Sequence, residues 1–166
     1  FKSFNIPVTI ARPFNTYGPR QSLRAIIPSI LLQLISKEKN LKIGSSFPLR
    51  DFCFIEDTVQ GFIEILEGKD ISGETFNIGS GFAISIDDLS KICMNILNYQ
   101  IPIKYENKRI RPERSEVDHL ECSFKKINKK LDWKPKYLGQ EGLIQGITKF
   151  INWLKESEGH IQYKGY

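Results

Sequence analysis

The chain has 166 residues, 40% hydrophobic and 26% charged, a composition that buries a sizeable core in one domain or a large part of one. No apolar run reaches the roughly 20 residues needed to span a bilayer, because Ile26 to Ile35 is interrupted by Pro28, Ser29 and Gln33. The formal net charge of +5 leaves nucleic acid, an anionic membrane surface or small phosphates as partners.

In chain order, "IPVTIA" (6–11) is short, β-branched and apolar, as a buried parallel strand would be, and it leads into a loop, "RPFNTYGPRQS" (12–22). A helix follows through Ile26, Ile27, Ile30, Leu31, Leu34 and Ile35, with Pro28 tolerated in its first turn. "NLKIGS" reads as a short strand and "RDFCFI" (50–55) as another. Glu56 and Asp57 then open a helix with an apolar face of Val59, Phe62, Ile63 and Leu66, closed by Gly68. "ETFNIG" (74–79) is a strand, and Ser85-Ile-Asp-Asp88 is a capping signature for a helix through Leu89, Ile92, Cys93, Ile96 and Leu97. "IPIKYE" (101–106) is a further strand, Ser123 caps a short basic helix ending near Leu131, and "DWKPKY" is extended around Pro135. The last helix uses Leu143, Ile147, Phe150, Ile151 and Leu154. Strands alternating with helices predict an α/β fold.

Charge placement narrows the partners. Lysines crowd helix surfaces such as Lys125 to Lys130, whereas arginines stand beside Pro, Gly and Asp in loops, where a guanidinium fork suits a phosphate. No basic stripe interleaves with aromatics, which argues against nucleic acid. The chain starts at Phe1 and its only methionine is Met94, so it is expected to be a fragment. Its cysteines, Cys53, Cys93 and Cys122, are odd in number and form no Cys-x-x-Cys pair, and no charged-then-apolar signal pattern is read in these residues; a reducing, cytoplasmic setting is therefore expected.

Several chemistries lack their residues. His119 and His160 are far apart with no cysteine beside either, so no metal site is expected, and neither a Gly-x-Ser-x-Gly elbow nor a Gly-x-x-x-x-Gly-Lys loop occurs. Gly79-Ser-Gly81 begins like a dinucleotide fingerprint, but the third position is Ile84; a turn with left-handed glycines is expected instead.

Four ordered stretches carry a resemblance: "RPFNTYGPR" (12–20), "RDFCFIEDTVQGF" (50–62), "GETFNIGSG" (73–81), and "RPERSEV" (111–117) followed by "KKINKKLDWKP" (125–135). Together they resemble the carboxy-terminal half of NAD-dependent epimerases and dehydratases of the extended short-chain dehydrogenase/reductase family. "YGPRQS" and "RPERSEV" look most like the 4,6-dehydratases of legionaminic acid biosynthesis. The resemblance implies the carboxy-terminal part of a Rossmann-like doubly wound sheet plus a small substrate-binding α/β domain. Residues 1–20 would end the Rossmann-like domain, with the NAD-binding half absent. The family's Tyr-x-x-x-Lys pair is not found: after Tyr17, Tyr99, Tyr105 and Tyr137 the fourth positions hold Gln21, Ile103, Arg109 and Glu141.

By the same resemblance, the backbone of Pro13 and Phe14 lies beside the nicotinamide of NAD, and Asn15, Arg50, Asn77 and Arg111 grip a nucleotide sugar, with Arg24 a further contact. Each has a plain structural alternative. Asn15 and Asn77 could bond their own turns, Arg24 could be solvated, and Arg50 could form a surface ion pair with Asp51 worth about 0–1 kcal/mol. Glu113 and Arg114 stand as an insertion relative to many relatives, which leaves the roles of Glu116 and of Arg111 against Arg114 open. Ser123 and Trp133 read as structural. The whole enzyme so implied is a cytoplasmic homodimer that oxidises C4 of a UDP- or GDP-linked N-acetylglucosamine, eliminates water across C5 and C6, and reduces C6. A 4-epimerase and a non-catalytic sugar-nucleotide-binding module are the alternatives, and the fragment alone is expected to be inactive.

Overall fold

A computed structural model of the chain describes residues 3–106 and 117–156. Strands β1 (Ile10–Pro13) and β2 (Asn15–Tyr17) lead to helix α1 (Ile26–Ile35); β3 (Leu41–Ile43) and β4 (Leu49–Phe54) lead to α2 (Ile55–Glu67). Then come β5 (Thr75–Ile78), β6 (Ala83–Ser85), α3 (Ile86–Ile96), β7 (Ile103–Tyr105), β8 (His119–Leu120), α4 (Lys125–Leu131) and α5 (Gly139–Glu156). Strand β1 pairs with β5 in parallel, and β3 pairs with β7 in parallel. The central sheet has β4 between parallel β2 and antiparallel β6, with β8 also parallel to β4.

The α/β expectation holds, with local corrections. The first strand begins at Ile10 rather than at residue 6, and its apolar side chains are not buried: Ile6, Val8 and Ile10 are exposed. Among the described residues β5 is β1's strand neighbour, so β1's other edge has no facing partner. Part of the expected loop is strand β2, since the chain resumes extended pairing after Phe14, and β6 and β8 are further strands that sequence periodicity missed because each is too short to show alternation. Helix α3 is capped as expected: the Ser85 hydroxyl accepts from the Asp88 N–H at 3.0 Å and donates to the Asp88 carboxylate at 2.8 Å. Ser123 does not cap α4; Phe124 occupies that position without a side-chain hydrogen bond.

The largest correction concerns α2. Its apolar residues Val59, Phe62, Ile63 and Leu66 are exposed, Leu66 at 85%, while Asp57, Thr58 and Gly61 face inward. Gly61 suits that orientation, because a Cβ there would meet the Ile78 side chain on β5 at 3.0 Å, a tight contact that would require Ile78 to give way. Helical periodicity identified the stripe correctly but not what covers it, and no described element lies over it.

The main core gathers α1, α3 and α5 around β2, β3 and β4; a smaller one holds Phe76, Ile78, Ile127 and Trp133 between β5, α4 and the segment after it. In α5, Leu143, Ile147, Phe150, Ile151 and Leu154 are buried, each stabilising by about 1.5–3 kcal/mol relative to exposure. Gly146 lets α5 approach β2, since a Cβ there would strike the Tyr17 hydroxyl and press on Phe54. That hydroxyl donates to the Leu143 carbonyl at 3.3 Å, and burial pushes its ionisation far above the usual tyrosine range.

The segment before α5 is pinned to the start of α2. Asp57, whose carboxyl is raised by burial, accepts the Lys136 and Tyr137 N–H groups at 2.8 and 3.0 Å. Beside it the Glu56 carboxylate accepts from the Tyr137 hydroxyl at 2.6 Å and from Lys149 Nζ at 2.7 Å.

Two outcomes are expected. Gly146→Ala will destabilise the fold by about 1–3 kcal/mol in thermal or denaturant unfolding, because Tyr17 is fully packed and cannot retreat. Hydrogen bonds from Lys149 and then Tyr137 lower the Glu56 carboxyl below its unfolded value, so its contribution is present above that value, about 4.3, and is lost as pH falls through the folded one. Wild type and Glu56→Gln should therefore differ in melting temperature at neutral pH and converge in acid; with both partners about half exposed, the difference should stay below about 1 kcal/mol.

Candidate functional site

Where β1 becomes β2 and β5 becomes β6, the chain passes from one sheet to the next at the same level. Pro13 is in register with Ile78, and the Phe14 N–H donates to the Ile78 carbonyl at 2.8 Å, so both strands end together. Pro13, Phe14 and Asn77 thus lie at the carboxyl ends of parallel strands, where ligands of open α/β sheets bind. Of the glycines in the following turn, Gly81 is left-handed at φ +70°, as expected, and Gly79 is required by close approach instead: a Cβ there would collide with the Cys122 side chain.

The centre of this region is Asp51. Its carboxylate is completely buried in the middle of β4. One oxygen accepts the Ser80 N–H at 2.8 Å and the Ser80 hydroxyl at 2.7 Å; the other accepts the Gly81 N–H at 2.8 Å and the Cys122 N–H at 3.0 Å. A carboxyl group is tolerated in an apolar interior only when its oxygens find hydrogen-bond partners in this way. Its own carbonyl accepts the Asn15 side-chain amide at 2.9 Å. The surface ion pair considered from the sequence is therefore not what Asp51 makes: its acceptors are turned inward, to the β5–β6 turn and the strand end after β8. Sequence reading missed this role, although a lone acid inside the apolar strand "LRDFCF", matched by a small, N–H-rich turn at Gly79-Ser80-Gly81, was its signal.

Around this centre, Asn15 and Arg50 come together. Asn15 is in register with Phe52, and Arg50 lies two residues before Phe52, hence on the same face of the sheet. Both are half-buried, and one guanidinium N–H of Arg50 donates to the Leu49 carbonyl at 2.8 Å. Asn77 is half-buried in β5 opposite Arg12, an exposed cation; it is a strand residue rather than a turn residue. Arg24 is exposed just before α1, its N–H 3.4 Å from the Ser22 hydroxyl. Gln21, from the same segment, donates its amide to the Thr16 carbonyl at 2.8 Å and so ties the loop back to β2. Arg111, with Glu113, Arg114 and Glu116, lies outside the described residues.

Burial pushes the Cys53, Cys93 and Cys122 thiols up to about 12, far from the reactive range. Among the described residues no group of His, Cys, Asp or Glu side chains is placed to hold a metal ion, and no helix is long and apolar enough to cross a membrane.

The family profile described as GDP-mannose 4,6 dehydratase matches residues 1–145. The chain belongs to that family. A mouse dTDP-D-glucose 4,6-dehydratase is 29% identical over 165 residues, 95% of this chain and 43% of its own length. The solved dTDP-glucose 4,6-dehydratase of Bacillus anthracis, a complex with NAD, superposes with a TM-score of 0.84 at 23% identity, over 96% of this chain and 48% of that one. The UDP-glucuronic acid 4-epimerase of Bacillus cereus, solved with UDP-glucuronic acid and NAD, gives 0.80 at 27%, over 93% and 47%. The fold is thus the Rossmann-like α/β arrangement of these enzymes, and the chain spans less than half the length of each of these relatives.

The Asn15 amide carries a measurable share of stability. Asn15→Ala should cost about 1 kcal/mol in denaturant unfolding through the lost bond to the Asp51 carbonyl. Asn15→Asp should cost at least as much, since a carboxylate would face that carbonyl with no proton to donate.

Proposed function

We propose that the chain is the substrate-binding half of an NAD-dependent nucleotide-sugar 4,6-dehydratase. The observation that carries this reading is the placing of Asn15 and Arg50 on one sheet face, beside the carboxyl ends of β1 and β5 where Asn77 lies. A half-buried guanidinium with a neighbouring amide suits a sugar diphosphate: Arg50 answers its charge, while Asn15 and Asn77 can donate and accept toward hydroxyl or phosphate oxygens. Arg24, and Arg111 outside the described residues, would add charge for the nucleotide end. Held there, the hexose is oriented by binding energy from a part of the ligand that does not react.

NAD would supply the reversible redox step, oxidising C4 before water leaves across C5 and C6 and reducing C6 afterward. Pro13, exposed, and Phe14, half-buried, fit one wall of its nicotinamide site. Residues 1–20 would complete a Rossmann-like domain whose remainder pairs with the open edge of β1 and covers Val59, Phe62, Ile63 and Leu66 of α2. That part would carry the glycine-rich turn and the Tyr-x-x-x-Lys pair, and the whole enzyme would be a cytoplasmic homodimer. Within the family, the legionaminic-type substrate, an N-acetylglucosamine linked to UDP or GDP, rests on the "YGPRQS" and "RPERSEV" motifs. A 4-epimerase is the second reading, supported by the Bacillus cereus neighbour.

The test is incubation of the whole polypeptide with NAD and, in turn, UDP- and GDP-N-acetylglucosamine, dTDP-glucose and GDP-mannose, followed by mass spectrometry and NMR. A 4-keto-6-deoxy product, one water lighter, is expected; an isomer of unchanged mass would favour the epimerase. Arg50→Ala should raise KM about tenfold or more, and residues 1–166 alone should give no turnover.

A further inference from the structure

We propose that Asp51 is the positioning residue of the nucleotide-sugar site, an inference that rests on the reading above. Three chain segments that are far apart in sequence meet on its two carboxylate oxygens: β4 itself, the Ser80–Gly81 turn, and the segment at Cys122. Its main-chain carbonyl holds the Asn15 amide, its preceding residue is Arg50, and the turn it grips is the continuation of the strand that bears Asn77. One rigid group therefore sets the spacing of all three ligand-facing side chains, although its own carboxylate, wholly buried, touches no ligand.

The geometry separates this role from simple core packing. An apolar side chain would fill the same volume, but it offers nothing to four inward-pointing donors, and those donors fix distance and direction in a way that packing does not. An asparagine fills the volume too, yet presents acceptors on one side only. Its amide N–H groups would confront either Ser80 or the Gly81 and Cys122 N–H groups, so the turn would shift away from β4. Because Asn15, Arg50 and Asn77 act on the nucleotide end, the shift should be felt in binding far more than in the chemical step.

The experiment is steady-state kinetics and calorimetric binding of the whole polypeptide, using the nucleotide sugar it turns over best, for wild type, Asp51→Asn and Ser80→Ala, with thermal melts alongside. Asp51→Asn should raise KM and Kd about tenfold or more with kcat within about threefold; Ser80→Ala, which removes one donor and leaves the three N–H groups, should raise both about two- to fivefold. If Asp51→Asn does not fold, Ser80→Ala decides by the same split between KM and kcat. A merely structural role would lower the melting temperature and the active fraction while leaving KM and Kd unchanged, and that result overturns the proposal. Wild type that binds none of the nucleotide sugars overturns the functional reading and this inference with it; wild-type binding with unperturbed variants overturns this inference alone.

Discussion

A carboxylate taken wholly out of water must find its compensation in the protein, and Asp51 finds it in four hydrogen bonds from Ser80, Gly81 and Cys122. Much of the rest follows from where those donors sit. The β1–β5 pair and the sheet built on β4 are separate ladders joined by short crossings at Phe14 and at residues 79–82. Without a tie across that junction, the crossings would be hinges; with it, the ends of β1 and β5 are held against the middle of β4. Gly79 and Gly81 belong to the same arrangement, one allowing Cys122 to approach and the other turning the chain so that its N–H reaches the acid.

Around Asp51 the candidate site offers a cation and carboxamides, and its reactive-looking neighbours are disarmed: Tyr17 is packed and bonded, and the three thiols are raised by burial. Function in such a fold resides in the site rather than in the architecture, since one sheet arrangement supports dehydration and epimerisation alike.

Much of the fold was legible in the residues. Helical spacing located α1, α2, α3 and α5, and Ser85 announced its own cap, because these are local relations between near neighbours in the chain. What sequence could not convey was facing. The stripe Val59, Phe62, Ile63 and Leu66 looks like any core stripe, and its exposure depends on which layers surround it. The three-residue strands β2 and β6 were hidden because their pairing is dictated by β4, not by their own pattern. For the candidate site, motif resemblance pointed to Asn15, Arg50 and Asn77, whose chemistry is on the surface of the side chain. It passed over Asp51, whose work is done through distant main-chain N–H groups that no local motif records.

The contact between β2 and α5 has a consequence for biosynthesis. Tyr17 reaches its hydroxyl's partner, Leu143, across 126 positions, and Gly146 is the notch that receives it. On the ribosome, the strand carrying Asn15 emerges before α5 and cannot be clamped until α5 has been made, and closing so long a loop is slow relative to local helix formation. The β2 side of the candidate site is therefore completed only after α5 is made, and until then its apolar side chains lack their native cover.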